Sequence, residues 1–275
     1  MEKINIMING IPGNVAVIIA KNAITDNRFQ IIPFSLTGPE IKDKKISLNN
    51  IDIKLIKPDE KDNIISEIKK DFKEFIAIDY SHPTAVNLNA EFYVKHSIPF
   101  VMGTTGGDRK KLEKTVLQGS NPAVIAPNMV KQIVGFQAMF EYAAKTFPDL
   151  FKGYSLIIKE SHQKEKFDTS GTAKAMVKYY NELGIPFKEN EIIKERNPET
   201  QRKIWEIPEQ HLQGHGWHTY TLTSPDKSAC FEFKHNINGR DIYVDGTLDG
   251  VVFLHKKLKT EKKGKIFTMI DVLKG

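Results

Sequence analysis

Residues 3–20 read K-I-N-I-M-I-N-G-I-P-G-N-V-A-V-I-I-A. Lys3–Asn9 is a short apolar run of the kind that forms a buried strand. A glycine turn follows, Gly10-Ile11-Pro12-Gly13-Asn14-Val15-Ala16, and then a second apolar run, Val17–Ala20. Strand, glycine turn and helix in succession are the setting a dinucleotide fingerprint needs. Gly10 permits the tight turn, Gly13 lets the backbone approach a pyrophosphate, and Ala16 lets the helix pack closely on the strand. The spacing is G-x-x-G-x-x-A, which also suits an ordinary strand-to-helix turn, so the strands and helices beyond residue 20 must decide the fold.

The next strand, Phe29–Ser35, ends in Ser35-Leu36-Thr37-Gly38. An acid there would hydrogen-bond the adenosine ribose and repel a 2′-phosphate. None occurs before Glu40, and the hydroxyls of Ser35 and Thr37 can face a phosphate. This favours NADPH, with NADH left open because no arginine stands at the strand end either. Further on, Ile53–Ile56, Phe75–Asp79, Pro99–Met102 and Ala123–Ala126 read as strands. Helical patterns alternate with them at Glu60–Phe72, Thr84–His96 and Lys110–Leu117. Such alternation predicts a doubly wound parallel sheet, whose ligands sit at the carboxyl ends of its strands. The polar or glycine-rich clusters fall at those ends: Gly10–Gly13, Ser35–Gly38, Asp79–Pro83, Gly103–Gly106 and Ala126–Asn128.

The second half has a different rhythm. Val130–Lys145 is a long helical pattern, and Tyr154–Glu160 a strand that leads into E-S-H-Q-K-E-K-F-D-T-S-G-T-A-K-A (Glu160–Ala175). That segment sets an imidazole, His162, four residues before an ammonium, Lys166. The turn Ser170-Gly171-Thr172 then opens a helix, Ala173–Leu183, closed by Gly184 and Pro186. A helix start presents unpaired N–H groups to an anion. Trp217–Thr223 and Ala229–Asn236 alternate with period two around the turn Ser224–Lys227, and Ile242–Lys256 reads as a helix. The expected fold is α/β, an N-terminal Rossmann-type parallel sheet with a second α+β mixed-sheet substrate domain.

Composition narrows the classes. The 275 residues are 40% hydrophobic and 27% charged, as in ordinary globular proteins. The net charge of +6 is scattered among acids, with no basic stripe, so nucleic acid is not an expected partner. A single cysteine, Cys230, excludes an internal disulfide and any cysteine-based zinc site. No metal site is expected: no cysteine or acid completes a set around His211, His215 and His218, and His82 reads as a loop-shaping residue. No apolar stretch reaches the roughly 18 residues of a membrane span, and no signal peptide is evident, so a cytoplasmic location is expected.

The blocks G-I-P-G-N-V-A, D-Y-S-H-P, G-T-T-G, A-P-N-M and E-S-H…S-G-T-A, in this order and spacing, resemble the 4-hydroxy-tetrahydrodipicolinate (dihydrodipicolinate) reductase family over nearly the whole chain. Leu222–Tyr243 resembles its plant-type branch more than the common bacterial one. The resemblance implies a Rossmann domain, residues 1–129, completed by about 246–275, with a substrate and oligomerisation domain, 130–245, inserted. It implies a proton-donating His162, an essential Lys166, and Ser170, Gly171 and Thr172 on a substrate carboxylate. It places Gly103, Thr104 and Thr105 near the nicotinamide, and Asn128 and Met129 where hinge and cofactor meet. Gly10, Gly13, Asn14, Val15, Ser35, Thr37, Asp79 and Pro127 complete the expected cofactor set. Common bacterial members read E-x-H-H, so Gln163 stands where they carry a second histidine.

The chemistry so implied is hydride transfer from NAD(P)H to an unsaturated cyclic imine with two carboxylates, in lysine and diaminopimelate biosynthesis. His162 suits proton donation because an ordinary imidazole titrates near neutrality. Lys166 could give the proton instead, and the sequence does not separate the two. Arg240, in a turn, is a candidate for the second carboxylate, since its fork suits bidentate pairing. Two rivals remain. One is another two-domain oxidoreductase of amino-acid metabolism, such as an aspartate-type dehydrogenase, and the other is a cofactor-binding sensor without catalysis. The substrate domain suits self-association, as a dimer or a tetramer.

Overall fold

The run at the N-terminus becomes β1 (Ile4–Asn9), whose last four residues are buried, as in a strand covered on both faces. The computed structural model describes residues 3–275. After β1 come α1 (Asn14–Thr25), β2 (Phe29–Ile31), β3 (Phe34–Leu36), β4 (Lys45–Leu48), β5 (Ile51–Ile56), α2 (Lys61–Asp71), β6 (Ile76–Asp79) and α3 (Val86–Lys95). β7 (Phe100–Met102), α4 (Arg109–Leu117), β8 (Ala123–Ile125) and α5 (Lys131–Thr146) follow. The chain continues through β9 (Ser155–His162), α6 (Gly171–Glu182), β10 (Ile193–Glu195), α7 (Pro198–Lys203), β11 (His215–Thr223) and β12 (Cys230–Asn238). It ends with α8 (Ile242–Lys257), β13 (Ile266–Phe267) and α9 (Met269–Lys274).

Two compact units result, residues up to 134 with 241–275, and residues 135–240. The first holds a six-stranded parallel sheet in the order β13-β8-β7-β6-β1-β2. Its last strand, β13, comes from the C-terminal segment. The expected strand Phe29–Ser35 is divided. Ile32 N donates to Ile6 O, but Pro33 has no N–H to continue the ladder, and the chain turns away to pair β3 with β5. β4 completes that second, three-stranded sheet through a hairpin at Asn49 and Asn50, both at positive φ. Two asparagines able to adopt the left-handed region are a recognisable hairpin signal.

The second unit holds a mixed sheet in the order β10-β9-β11-β12, with only the β10–β9 pair parallel. One face, with Ile158, Tyr220 and Leu222, is closed by Phe140 and Ala144 of α5 and by Met176, Val177 and Tyr180 of α6. The start of α6 is set by Ser170, whose hydroxyl accepts from Thr172 N at 3.2 Å, a cap worth about 1 kcal/mol. Its end is set by Gly184, at φ +95, where Gly184 N and Ile185 N close back onto Asn181 O and Tyr180 O.

Candidate active site

In the first unit the glycine turn is a cradle made of backbone. A Cβ on Gly10 would lie 2.2 Å from Tyr80 O, so only glycine fits there. Gly13 caps α1 and no side chain accepts from the helix start, which leaves the first-turn N–H groups of Asn14 and Val15 for a pyrophosphate. Ser35 is buried, and its hydroxyl accepts from Ile11 N at 3.2 Å. That hydroxyl braces the glycine turn and is not turned toward a ligand. Thr37 is half-buried at the end of β3, and the Glu40 carboxylate lies folded over Gly38 beside it.

Asp79 ends β6 fully buried, and its carboxylate serves the protein itself. Oδ1 accepts from Ser81 N and Oγ and from Thr104 Oγ1, and Oδ2 accepts from Asn89 Nδ2 and the Tyr93 hydroxyl. It thereby ties the end of β6 to the Gly103–Thr105 loop, in which Gly103 lies against the Tyr80 ring, Thr104 is buried and Thr105 is exposed. Pro127 is exposed, Met129 is buried, and Asn128 Oδ1 accepts from Val130 N at the entry to α5. Arg109, which drew no notice in the sequence, donates to Thr104 O at 3.1 Å, and burial lowers its pKa. His82 accepts from Thr84 N and shapes the loop after β6.

In the second unit His162 is the last residue of β9, which runs two residues past the Glu160 end that the sequence pattern suggested. Its Nδ1 donates to His215 O at 3.1 Å, which fixes the proton on that nitrogen and leaves Nε2 as the free one. Opposite it, in register, stands Gly216, where a Cβ would lie 3.0 Å from His162 Cε1. Burial, with the charges of Arg196 and Lys166 added, pushes the imidazole down to about 4. The free protein at neutral pH thus carries a neutral His162, further from an ordinary histidine than the sequence implied.

Lys166 Nζ pairs with Asp168 Oδ1 at 2.8 Å, and Asp168 is itself largely exposed. A carboxylate already occupies the lysine. Ser170 N donates to Glu160 Oε2 at 3.0 Å. This leaves the Gly171 N–H and the Thr172 hydroxyl at the mouth of α6, where the space beside Gly171 is open. Gln163 is half-buried, and its carbonyl accepts from Lys166 N. Arg240 lies with Nη1 against Gly214, just ahead of β11 and at the end of the sheet where His162 sits.

Arg196 is the residue the sequence reading missed. Its Nη2 reaches the fully buried Glu160 Oε1 at 2.5 Å, and its Nε donates to Lys166 O at 2.6 Å. One guanidinium therefore ties the middle of the His162–Ser170 loop to Glu160, which in turn accepts from Ser170 N at the loop's end. Gln201 adds bonds to Ser161 Oγ and His162 O. The signal was present: Asn197-Pro198 caps α7 immediately after Arg196. Glu160 and His162 also bring an acid near His218, with one ligand atom of each within 4.8 Å of the others. The guanidinium on Glu160 and the nearby Lys166 make this a poor seat for a cation.

Residues 4–129 match the family model for the dihydrodipicolinate reductase N-terminus, and residues 133–273 that for its C-terminus. The chain belongs to the dihydrodipicolinate reductase family. Membership makes it an oxidoreductase that uses a nicotinamide cofactor, and favours neither rival. Among curated reductases it is 41% identical to a probable chloroplastic 4-hydroxy-tetrahydrodipicolinate reductase of Oryza sativa, over 98% of this chain and 82% of that one. It is 43% identical to a chloroplastic reductase of Arabidopsis thaliana, over 98% and 77%. A bacterial reductase, from Brachyspira hyodysenteriae, is 29% identical over 76% and 88%, so the plant-type resemblance holds. The fold is that of a dipicolinate-bound dihydrodipicolinate reductase from Paenisporosarcina, at TM-score 0.66 and 17% identity, covering 98% of this chain and 99% of that one. Among the described residues no helix is long and apolar enough to cross a membrane.

Proposed function

We propose that the chain reduces 4-hydroxy-tetrahydrodipicolinate to tetrahydrodipicolinate, with His162 as proton donor and Lys166, Gly171, Thr172 and Arg240 as the holders of the two carboxylates. The cofactor, when bound, supplies the hydride. The observation that carries this reading is the His162–Ser170 segment. There an imidazole with one nitrogen locked stands beside a lysine that already holds a carboxylate, ahead of a helix start open to another. A dianionic substrate replaces Asp168 on Lys166 and offsets the cations that hold His162 neutral, so the imidazole is protonated as substrate binds. With Nδ1 held by His215 O, Nε2 takes up that proton and is the nitrogen that gives it to the substrate.

Residues 1–129 with about 246–275 hold the cofactor in this reading, and residues 130–245 hold the substrate. Gly10, Gly13, Asn14 and Val15 face the pyrophosphate, and Gly103, Thr104 and Thr105 the nicotinamide, with Pro127, Asn128 and Met129 at the end of β8. Asp79 acts by holding the Gly103–Thr105 loop, and Ser35 by holding the glycine turn. With Ser35 so engaged, Thr37 favours NADPH and Glu40 favours NADH, and both cofactors are accepted. The outward face of the mixed sheet exposes Ile157 and Ile193, and we place homo-oligomer contacts there, in a dimer or tetramer. A lone, exposed Cys230 suits the reducing cytoplasm.

The test is loss of reduced-nicotinamide absorbance with NADPH and with NADH, the substrate being made in place from pyruvate and aspartate semialdehyde by the preceding synthase. His162→Ala is the control. Oxidation that the control loses supports the assignment; a folded, cofactor-binding protein with no oxidation refutes it.

A further inference from the structure

In open α/β sheets ligands sit at the carboxyl edge. The parallel sheet of the first unit also opens at its amino edge. A cavity of about 520 Å³ lies there, at the starts of β1, β6 and β7, and every residue lining it belongs to the first unit. The ends of α2 and α8 make its two sides. α2 packs on one face of the sheet, where Ile65 and Ile68 join Met7, Ala77 and Phe100 in one apolar cluster. α8 packs on the other, where Val251 and Leu254 join Ile6, Ile8 and Ile76. Their C-terminal ends therefore reach the same edge from opposite faces, and Ile4, Ile76, Ile98 and Leu258 give the space between them an apolar lining.

Its charged lining is basic. Lys3, Lys69, Lys73, Lys259 and Lys262 surround the cavity, against one acid, Glu74. That is a net charge of +4 around one opening, in a chain whose whole net charge is +6. Elsewhere lysines lean on acids, as Lys95 does on Asp62 and Lys111 on Glu91. Here Lys69 Nζ donates to His96 O and Lys262 Nζ to Leu258 O, while the Lys3, Lys73 and Lys259 side chains have no partner among the described residues. A lysine in the last turn of a helix offsets its dipole, which accounts for Lys69 in α2. The dipole fades within that turn, and Lys73, Lys259 and Lys262 lie beyond the helix ends at Asp71 and Lys257. Charges ringing a cavity of this size stand close to the screening length of about 8 Å at physiological salt, so they repel one another until an anion is bound.

We propose that the amino edge of the sheet is a second ligand site, which takes a nucleotide carrying two or more phosphates. The donor set selects the chemistry. All the cations are lysines, point charges that suit clustered phosphate oxygens, and no arginine among the lining residues offers the planar fork that pairs with a carboxylate. The apolar residues between the helix ends suit the flat body of a base, and the volume falls within the range of about 300–1,000 Å³ usual for small-molecule sites. Confinement between two helix ends distinguishes the cavity from a nucleic-acid track, which follows the backbone along an extended basic stripe. The site lies at the opposite end of β1 from the glycine turn, so it is separate from the cofactor edge and does not rest on the reductase reading.

The experiment is isothermal titration of the full chain with ATP, free of divalent cations, with NADPH saturating so that the carboxyl edge is filled. AMP, inorganic tripolyphosphate, citrate and a single-stranded oligonucleotide are titrated in parallel, and Lys73→Gln/Lys259→Gln is compared with the parent. The expected result is one ATP per chain, bound severalfold more tightly than AMP, tripolyphosphate or citrate, and at least tenfold more weakly by the double variant. Without ATP the double variant should melt no lower than the parent, since it has lost repulsion and no contact. If it does not fold, Lys259→Gln alone carries the same comparison. No heat with ATP overturns the site, and so does equal affinity in the variant. Tripolyphosphate or citrate binding as tightly as ATP would mean unselective charge and overturns the nucleotide. An oligonucleotide that binds through the same lysines where ATP does not makes the edge a nucleic-acid surface, which also overturns the proposal.

Discussion

At the scale of single residues, the proposed chemistry turns on the charge state of His162. Burial and two nearby cations hold its pKa at about 4, so the free enzyme at pH 7 cannot be the protonating form. A dicarboxylate that neutralises Arg196 and Lys166 must raise that value, and by linkage its own binding must take up a proton. Proton-detected titration of His162 should therefore show a midpoint near 4 in the free protein and a higher one with pyridine-2,6-dicarboxylate bound. An unchanged midpoint would mean the dianion does not sit beside the ring. Asp168 offers a second check. In the proposed function this exposed carboxylate on Lys166 stands where a substrate carboxylate would bind. Asp168→Ala should lower KM severalfold with kcat little changed, whereas a raised KM would make Asp168 part of the binding surface.

At the scale of elements, two short connections carry most of the positioning. The loop between β9 and α6 is held by the Arg196–Glu160 pair, with the acid fully buried and the arginine side chain 17% exposed. Removing one partner leaves a buried charge uncompensated, at a cost of about 3–5 kcal/mol. Arg196→Met should lower the melting temperature markedly and reduce activity even where the protein stays folded. Little change in either would show that Glu160 is satisfied without the arginine. In the proposed function the end of β3 sets the cofactor preference. Glu40 over Gly38 repels a 2′-phosphate, so Glu40→Ala should raise the ratio of kcat/KM for NADPH over NADH by about tenfold. Most of this framework was legible in the chain. The glycine turn, the strand-end clusters and the E-S-H…S-G-T segment announce themselves through backbone needs and residue type. Pairing between distant side chains was not legible. Arg196 looks like any solvated charge until β10 brings it beside Glu160. Asp79 and Ser35 read as ligands because nothing in their spacing reveals Tyr93, Thr104 or Ile11 as partners. Pro33, by contrast, broke its strand for a reason written in the residue itself.

At the scale of the whole molecule, the buried histidines make folding depend on pH in a definite direction. His162 and His235 are held at about 4, His218 well below its ordinary value and His215 lowered, each first by burial. In the unfolded chain all four titrate near 6.5. Above that pH neither state binds the protons and the histidines contribute nothing. Below it the unfolded state binds them and the folded state does not, so stability falls as pH falls, by about 1.4 kcal/mol per pH unit for each histidine that stays neutral. The loss stops growing for His162 and His235 near pH 4, where the folded state takes up protons too. Carboxylates do not blur this window. Asp62 and Asp226, held at about 2 by their hydrogen bonds, give up their stabilisation only below the ordinary carboxylate range. All four histidines belong to residues 135–240. Calorimetry from pH 7.5 to 5 should therefore show a melting temperature that drops by several degrees, with that unit unfolding first at the acid end. His218→Phe should make the slope shallower by about one proton. A melting temperature flat across that range would mean the imidazoles are reached by solvent in the folded chain.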